Sequence, residues 1–172
     1  KNFDYLQKLT KVTTIIFDKT GTITTGVFKI KAIIPKNGGS TDLVLQYIAS
    51  LEQKSNHPIA KSILLEAENK NIPLFEVENF MEKEGIGVEG KVNEKKVSIK
   101  KASVNEGALT ILDVKINENM FSIELEEEVR INSQFINTLS DSYEVSILSG
   151  DSSKKVQDFG KSLGVSESIG SQ

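Results

Sequence analysis

The sequence predicts an α/β fold in which a parallel-sheet unit is split by an α+β insertion carrying an antiparallel sheet. Three observations carry this expectation. Residues 12–17 form a β-branched apolar run, the pattern of a strand buried on both faces, and it ends abruptly in Asp18. Residues 128–164 alternate helix, strand and helix. The interval between them holds two helical stretches and then short strand signals punctuated by glycines and turn pairs.

Composition bounds the class. The chain has 172 residues, with 21 basic and 24 acidic side chains and a net charge of −3. Apolar residues make up 38% and charged residues 26%, which suits a packed globule rather than a disordered chain. No apolar run approaches the roughly 18 to 20 residues that span a bilayer, and no signal-peptide pattern opens the sequence. The absence of cysteine excludes disulfides, thiolate metal sites and cysteine nucleophiles. A single histidine excludes a histidine-rich metal centre. No basic tract marks a nucleic-acid surface.

Taken in order, Phe3, Leu6 and Leu9 mark a short amphipathic piece ahead of the first strand. Val27, Phe28, Ile30, Ile33 and Ile34 mark a second extended stretch, and Pro35 with Asn37-Gly38-Gly39 breaks the chain. Ser40-Thr41-Asp42 supplies N-cap residues for a helix whose Leu43, Val44, Tyr47, Ile48 and Leu51 share one face. Pro58 suits the first position of a second helix, with Ala60, Ile63, Leu64 and Ala67 at helical spacing. Residues 75–104 read as strands, with Gly85, Gly87 and Gly90 and a tight turn at Asn93-Glu94. Residues 110–125 read as two strands meeting at Asn117-Glu118-Asn119. A helix over 128–139 uses Val129, Ile131, Phe135, Ile136 and Leu139. Residues 143–148 form a strand ending in Ser149-Gly150-Asp151, and a last helix opens at Ser152-Ser153 and stops at Gly164.

In an open α/β sheet, chemistry collects at the carboxyl ends of the strands. Asp18 sits at such an end, beside the cation Lys19, the hydroxyls of Thr20 and Thr22, and Gly21, where the backbone can turn closely around a ligand. A carboxylate nucleophile, a nearby positive charge and neutral donors together suit a phosphoryl group. Attack on an anionic phosphate needs a counter-cation, normally Mg²⁺. Asp151 ends another strand and is either one of the acids around that site or the cap of the following helix. Taken alone, Asp18 reads more readily as an ordinary strand-end turn residue.

The string Asp18-Lys19-Thr20-Gly21-Thr22, followed by Ile23-Thr24, shifts that balance. Five fixed residues recur by accident in a chain of this length roughly once in twenty thousand on uniform frequencies. The string resembles the phosphorylation signature of the P-type ATPases, in which the aspartate takes the γ-phosphate of ATP. Phosphatases of the wider haloacid-dehalogenase superfamily usually carry a second aspartate two positions on. Here that position is Thr20, which fits an aspartyl-phosphate meant to persist.

The insertion is similar to the nucleotide-binding domain of the heavy-metal branch of that family. Ser55-Asn56-His57-Pro58-Ile59-Ala60 looks like its Ser-Glu-His-Pro-(Leu/Ile)-Ala motif, with Asn56 departing from Glu. The resemblance implies that His57 lies against adenine and that Glu52, five residues earlier, contacts the base. Gly85 and Gly87 resemble its Gly-x-Gly, where absent side chains let the backbone approach the nucleotide. A later Val-x-Val-Gly-Asn is replaced by Val97-Ser98-Ile99-Lys100-Lys101, whose lysines meet either the triphosphate or solvent. Beyond the insertion, Glu127 takes an Asp position, and Arg130 is either a phosphate contact or an ordinary helix arginine. Ser149-Gly150-Asp151 resembles the family's Thr-Gly-Asp and keeps the hydroxyl that would bond phosphate.

The resemblance implies a haloacid-dehalogenase-like phosphorylation domain over 1–32 and 120–172, incomplete at its C-terminal end, split by a nucleotide-binding domain over 33–119. It implies ATP and Mg²⁺ as cofactors, with Asp18 and the main chain of Thr20 holding the Mg²⁺. The chain is then expected to be a monomeric fragment from the cytoplasmic side of an integral membrane transporter. Contact with the transported metal would run only through the membrane part, with copper as first choice and zinc, cadmium or cobalt next. The rival expectations are a soluble phosphohydrolase whose insertion is a cap, and a non-catalytic nucleotide-binding module.

Overall fold

The computed structural model of the chain describes residues 8–36, 38–83, 85–102 and 108–171. Phe3, Leu6, the break at Asn37 and the strand end at Val104 lie outside the described residues. The chain forms two compact units, Lys1–Thr25 with Val129–Gln172, and Gly26–Glu128. No helix among the described residues is long and apolar enough to cross a membrane.

In the first unit, β1 (Thr14–Asp18), β8 (Glu144–Ser152) and β9 (Glu167–Ser171) form a parallel sheet in the order β1-β8-β9. Parallel neighbours need a crossover. Between β8 and β9 it is helix α4 (Ser153–Leu163), which ends at Gly164 in the left-handed conformation with φ 81°. Between β1 and β8 the chain makes the whole inserted unit and then helix α3 (Ser133–Ser140). Ile136 of α3, Ile147 of β8 and Val156 of α4 are buried.

Two expectations change here. The first strand is not buried on both faces. It is an edge strand, α3 and α4 pack on β8 and α4 on β9, and Ile16 is 60% exposed. The helix expected from 128 starts only at Ser133, because strand β7 (Asn119–Val129) continues and the backbone then hooks back. The N–H groups of Arg130 and Ile131 both donate to the Ile23 carbonyl, at 2.7 and 3.1 Å. The Asn132 side chain then caps the helix on Phe135 N at 3.0 Å.

The second unit is a six-stranded sheet in the order β2-β7-β6-β5-β4-β3. Its remaining strands are β2 (Thr24–Pro35), β3 (Val77–Lys83), β4 (Gly87–Val92), β5 (Lys95–Lys101) and β6 (Thr110–Ile116). Strands β3 to β7 pair antiparallel in sequence. The hairpin turns fall at the expected pairs, with positive φ at Asn93, Glu94 and Asn117. Helices α1 (Thr41–Glu52) and α2 (Pro58–Asn69) are capped by Ser40 and His57. Val44, Leu45, Ile48 and Leu51 of α1 and Ile63 of α2 share one core with Val88, Val97, Val114 and Ile123 of the sheet. Leu43, expected on the buried face, is turned outward.

This sheet also corrects the expected boundaries. Residues 26–32 and 120–128 were assigned to the flanking domain, but β2 and β7 are neighbouring strands of the inserted sheet. The insertion therefore runs over Gly26–Glu128. The break at Pro35 marks the end of a strand within the unit, not its border.

Candidate active site

Asp18 is the last residue of β1, and its side chain is exposed at the strand's carboxyl end. Residues Lys19–Ile23 follow as a single wide helical turn, broken by Thr20 in an extended conformation and by Gly21 at φ 80°. Thr24 closes the turn, its hydroxyl donating to the Lys19 carbonyl at 3.1 Å. Arg130 braces it from outside, its Nη1 donating to the Gly21 carbonyl at 3.4 Å. Arg130 thus lies on the connection ahead of α3 and is not a residue of that helix.

The cation beside Asp18 is turned inward. Lys19 is 3% exposed, its Nζ is 2.9 Å from Asp151 Oδ2, and it stands 5.4 Å over the Phe159 ring. Asp151 is therefore a partner of Lys19 and not the cap of α4, whose N-cap is Ser152. The strand expected to end at 148 runs on to Ser152, with an irregular register against β9 between Leu148 and Ser152. Within that stretch Ser149 is buried, and its Oγ accepts from Asp151 N at 3.1 Å. Ser171 of β9 fastens that stretch of β8, its Oγ donating to the Gly150 and Asp151 carbonyls at 2.7 and 3.1 Å. The first unit so brings Asp18, Lys19, Thr20, Thr22, Ser149, Gly150 and Asp151 to two neighbouring strand ends.

Asp18 carboxylate and Thr20 carbonyl oxygens are hard donors of the kind Mg²⁺ takes one or two at a time alongside phosphate oxygens. Among the described residues, no three His, Cys, Asp or Glu side chains cluster to hold a metal. The pair therefore fits Mg²⁺ only as part of a shared shell.

The second group lies in the inserted unit. His57 is exposed at the mouth of α2, and its Nδ1 accepts from Ile59 N at 3.2 Å. That bond uses Nδ1 as an acceptor. Glu52 closes α1 at 5% exposure, and burial first, then the charge of Glu82, push its pKa up to about 7. Ser55 links these parts, its Oγ donating to Glu82 Oε1 at 3.0 Å and accepting from His57 N at 3.2 Å. Gly85 has φ 73° and open space where a side chain would stand. Gly87 has φ 145°, and a Cβ there would run into the Ile99 carbonyl. Lys100 and Lys101 are exposed at the end of β5. A cleft of about 350 Å³ lined by Asn79, Met81, Glu89, Lys91, Glu94 and Lys96 includes none of these residues.

Asp18 at the end of β1 thus pairs with Leu148 of β8, one residue ahead of Ser149-Gly150-Asp151. The haloacid dehalogenase-like hydrolase family matches residues 12–171. The chain belongs to that family. Among relatives of this haloacid dehalogenase-like protein, a copper-exporting P-type ATPase B of Archaeoglobus fulgidus is 43% identical over 106 residues, covering 62% of the chain and 15% of the relative. A cadmium, zinc and cobalt-transporting ATPase of Bacillus subtilis is 30% identical over a 182-residue alignment, covering 97% of the chain and 26% of the relative. The chain thus spans about a quarter or less of these relatives. The solved catalytic domain of the CPx-ATPase CopB-B, described as changing conformation on nucleotide binding, superposes with a TM-score of 0.75 at 35% identity, over 95% of the chain and 63% of that domain. A zinc-transporting PIB-type ATPase in its E2.Pi state gives 0.77 at 27% identity, over 92% of the chain and 29% of that protein. The likeness is to the catalytic domains of heavy-metal P-type ATPases, of copper and of zinc or cadmium types alike.

Sequence reasoning missed Glu82, the inward turn of Lys19 and the Ser171 clasp. Glu82 reads as one more strand carboxylate, and the clasp depends on a register that no local pattern announces.

Proposed function

We propose that this chain is the nucleotide-binding and phosphorylation part of a heavy-metal-transporting P-type ATPase. The observation that carries the reading is Asp18 exposed at the end of β1, followed by a buried Lys19 that is paired with the partly exposed Asp151. A carboxylate oxygen of Asp18 attacks the γ-phosphorus of ATP. One O–P bond forms as the bond to the bridging oxygen of ADP breaks, and no proton needs to move. Lys19 supplies fixed positive charge behind the nucleophile, and the hydroxyls of Thr20, Thr22 and Ser149 are donors to the phosphoryl oxygens. Gly150 and Asp151 hold Ser149 and Lys19 in place. The Asp18 carboxylate and the Thr20 carbonyl would hold Mg²⁺, which would supply neutralising charge to the phosphate oxygens. Thr20 stands where a hydrolase would place a base, so the acyl phosphate persists, which favours a pump over a phosphatase.

The inserted unit takes ATP. The His57 ring offers a face for stacking on adenine, Glu52 its carboxyl group for the base, and Gly85 and Gly87 bare backbone. In the parent membrane protein this part acts from the cytoplasmic side, and phosphorylation drives transport. Copper is the proposed ion, supported by the 43% identity with a copper exporter. The chain by itself acts as a monomer.

Calorimetric titration with Mg-ATP tests the reading. The chain is expected to bind ATP at micromolar to millimolar Kd. His57→Asn keeps a capping acceptor but removes the ring, so affinity should drop about tenfold with the melting temperature held. An unchanged affinity refutes the adenine assignment.

A further inference from the structure

Glu52 is 5% exposed, and its carboxyl group meets no hydrogen-bond donor among the described residues. An ionised carboxylate in such a place is costly unless something compensates it. Three lysines on the elements packed against α1 are engaged elsewhere: Lys95 of β5 stands 4.8 Å over the Tyr47 ring, and Lys83 of β3 and Lys91 of β4 pair with Glu89 and Glu78. Strands β4 and β5 turn Val88, Val92, Val97 and Ile99 into the shared core. Helix α2 presents His57 at its head, with Nδ1 already committed to Ile59 N. Strand β3 supplies Glu82, which adds a second negative charge and raises the affinity of Glu52 for a proton. Glu82 is itself fixed, because its Oε1 accepts from the Ser55 hydroxyl that also holds His57 N.

The two forms of Glu52 recognise different bases. A neutral carboxyl group has one O–H donor and one carbonyl acceptor. The pairing edge of adenine has an acceptor at N1 and a donor at N6, so the acid form matches it twice. An ionised carboxylate offers acceptors only. It sets a charge against adenine N1 and matches the two adjacent donors of guanine instead.

We propose that Glu82 is a specificity-determining residue of the nucleotide site: beside the buried Glu52 its negative charge favours the acid form, which selects a 6-aminopurine and couples its binding to retention of a proton. This rests on the reading of Glu52 and His57 as a purine site. Its consequence is that the preference for ATP over GTP fades as Glu52 ionises.

The test is the ratio of ATP to GTP affinity, measured by calorimetry between pH 5.5 and 8.5. The ratio cancels the titration of the triphosphate, which both nucleotides share. In the unaltered chain the ratio is expected to fall about tenfold as pH rises, the cost of one unmatched polar contact, with its midpoint near neutrality. Glu82→Gln keeps an acceptor for Ser55 but removes the charge, and the fall should move to lower pH by about one unit. Glu52→Gln carries one donor and one acceptor at every pH, and its ratio should become independent of pH. Melting curves check that each variant is folded. A flat ratio in the unaltered chain, or a Glu82→Gln profile lying on top of it, overturns this inference while leaving the site itself. Failure of both nucleotides to bind at any pH overturns the site assignment and the inference together.

Discussion

Taking the Lys19 ammonium out of water costs several kcal/mol, and a contact of 2.9 Å with Asp151 offsets that only while both charges are present. The Asp151 side chain keeps 29% of its surface exposed against 4% for Lys19, so the two partners are not equivalent. Asp151→Asn removes the Asp151 charge from beside a buried cation that stands over the Phe159 ring. It is expected to lower urea-denaturation stability by about 2 kcal/mol, below the 3–5 kcal/mol of a fully enclosed pair because water still reaches this one. Lys19→Met leaves an aspartate that can turn to solvent, and should cost less. Equal losses from the two variants would show that the pair is not anchored at the lysine. DKTGT announced a phosphate loop in the sequence, and Gly21 with φ 80° makes the tight turn expected of it. The inward turn of Lys19 was not legible, because it depends on Phe159 and Asp151, more than 130 positions away.

Strand β4 starts at Gly87, whose Cα faces Lys100 across the β4–β5 ladder. Its φ of 145° is poorly open to other residues, and the Ile99 carbonyl occupies the place of a Cβ. Gly85 shares the left-handed backbone at φ 73° but has nothing within 4 Å of its missing side chain. Gly87→Ala should therefore destabilise the nucleotide-free protein by about 3 kcal/mol through strain and displaced backbone, against about 1 kcal/mol for Gly85→Ala. Urea denaturation of the two variants side by side checks this, and equal losses would contradict the close approach at Gly87. Elements governed by local chemistry were legible: the Ser40 cap, Pro58 at a helix start, Asn93-Glu94 as a hairpin turn and the Gly164 stop. Elements governed by distant pairing were not. The apolar run of β1 reads as fully buried although it forms a sheet edge, and Pro35 reads as a border although β2 belongs to the inserted sheet. Both errors come from reading hydrophobicity and breaks without knowing which strands become neighbours.

Glu52 is buried within the unit Gly26–Glu128, and this has a consequence for the folding of that unit. The Glu52 pKa rises from 4.5 to about 7 on folding, through burial and then Glu82. The folded state therefore binds a proton more tightly than the unfolded chain. Below the unfolded value both states are protonated and burial of the group costs no ionisation. As pH rises from 4.5 towards 7 the unfolded chain ionises freely while the folded one resists, so stability falls across that window and levels off above it. The sign is opposite to that of a salt-bridged carboxylate, whose stabilising effect grows as pH rises towards the unfolded value and is complete above it. The loss attributable to Glu52 is expected to be on the order of 3 kcal/mol between pH 4.5 and 8. Other carboxylates titrate too, so the comparison is with Glu52→Gln, which cannot ionise. Denaturation curves at several pH values should show the variant gaining on the unaltered chain from pH 4.5 upward, with the gain complete by about pH 8. A constant difference between the two across that range would mean that Glu52 is solvated like an ordinary surface carboxylate. The proton that stabilises this unit would then also be missing from its nucleotide site.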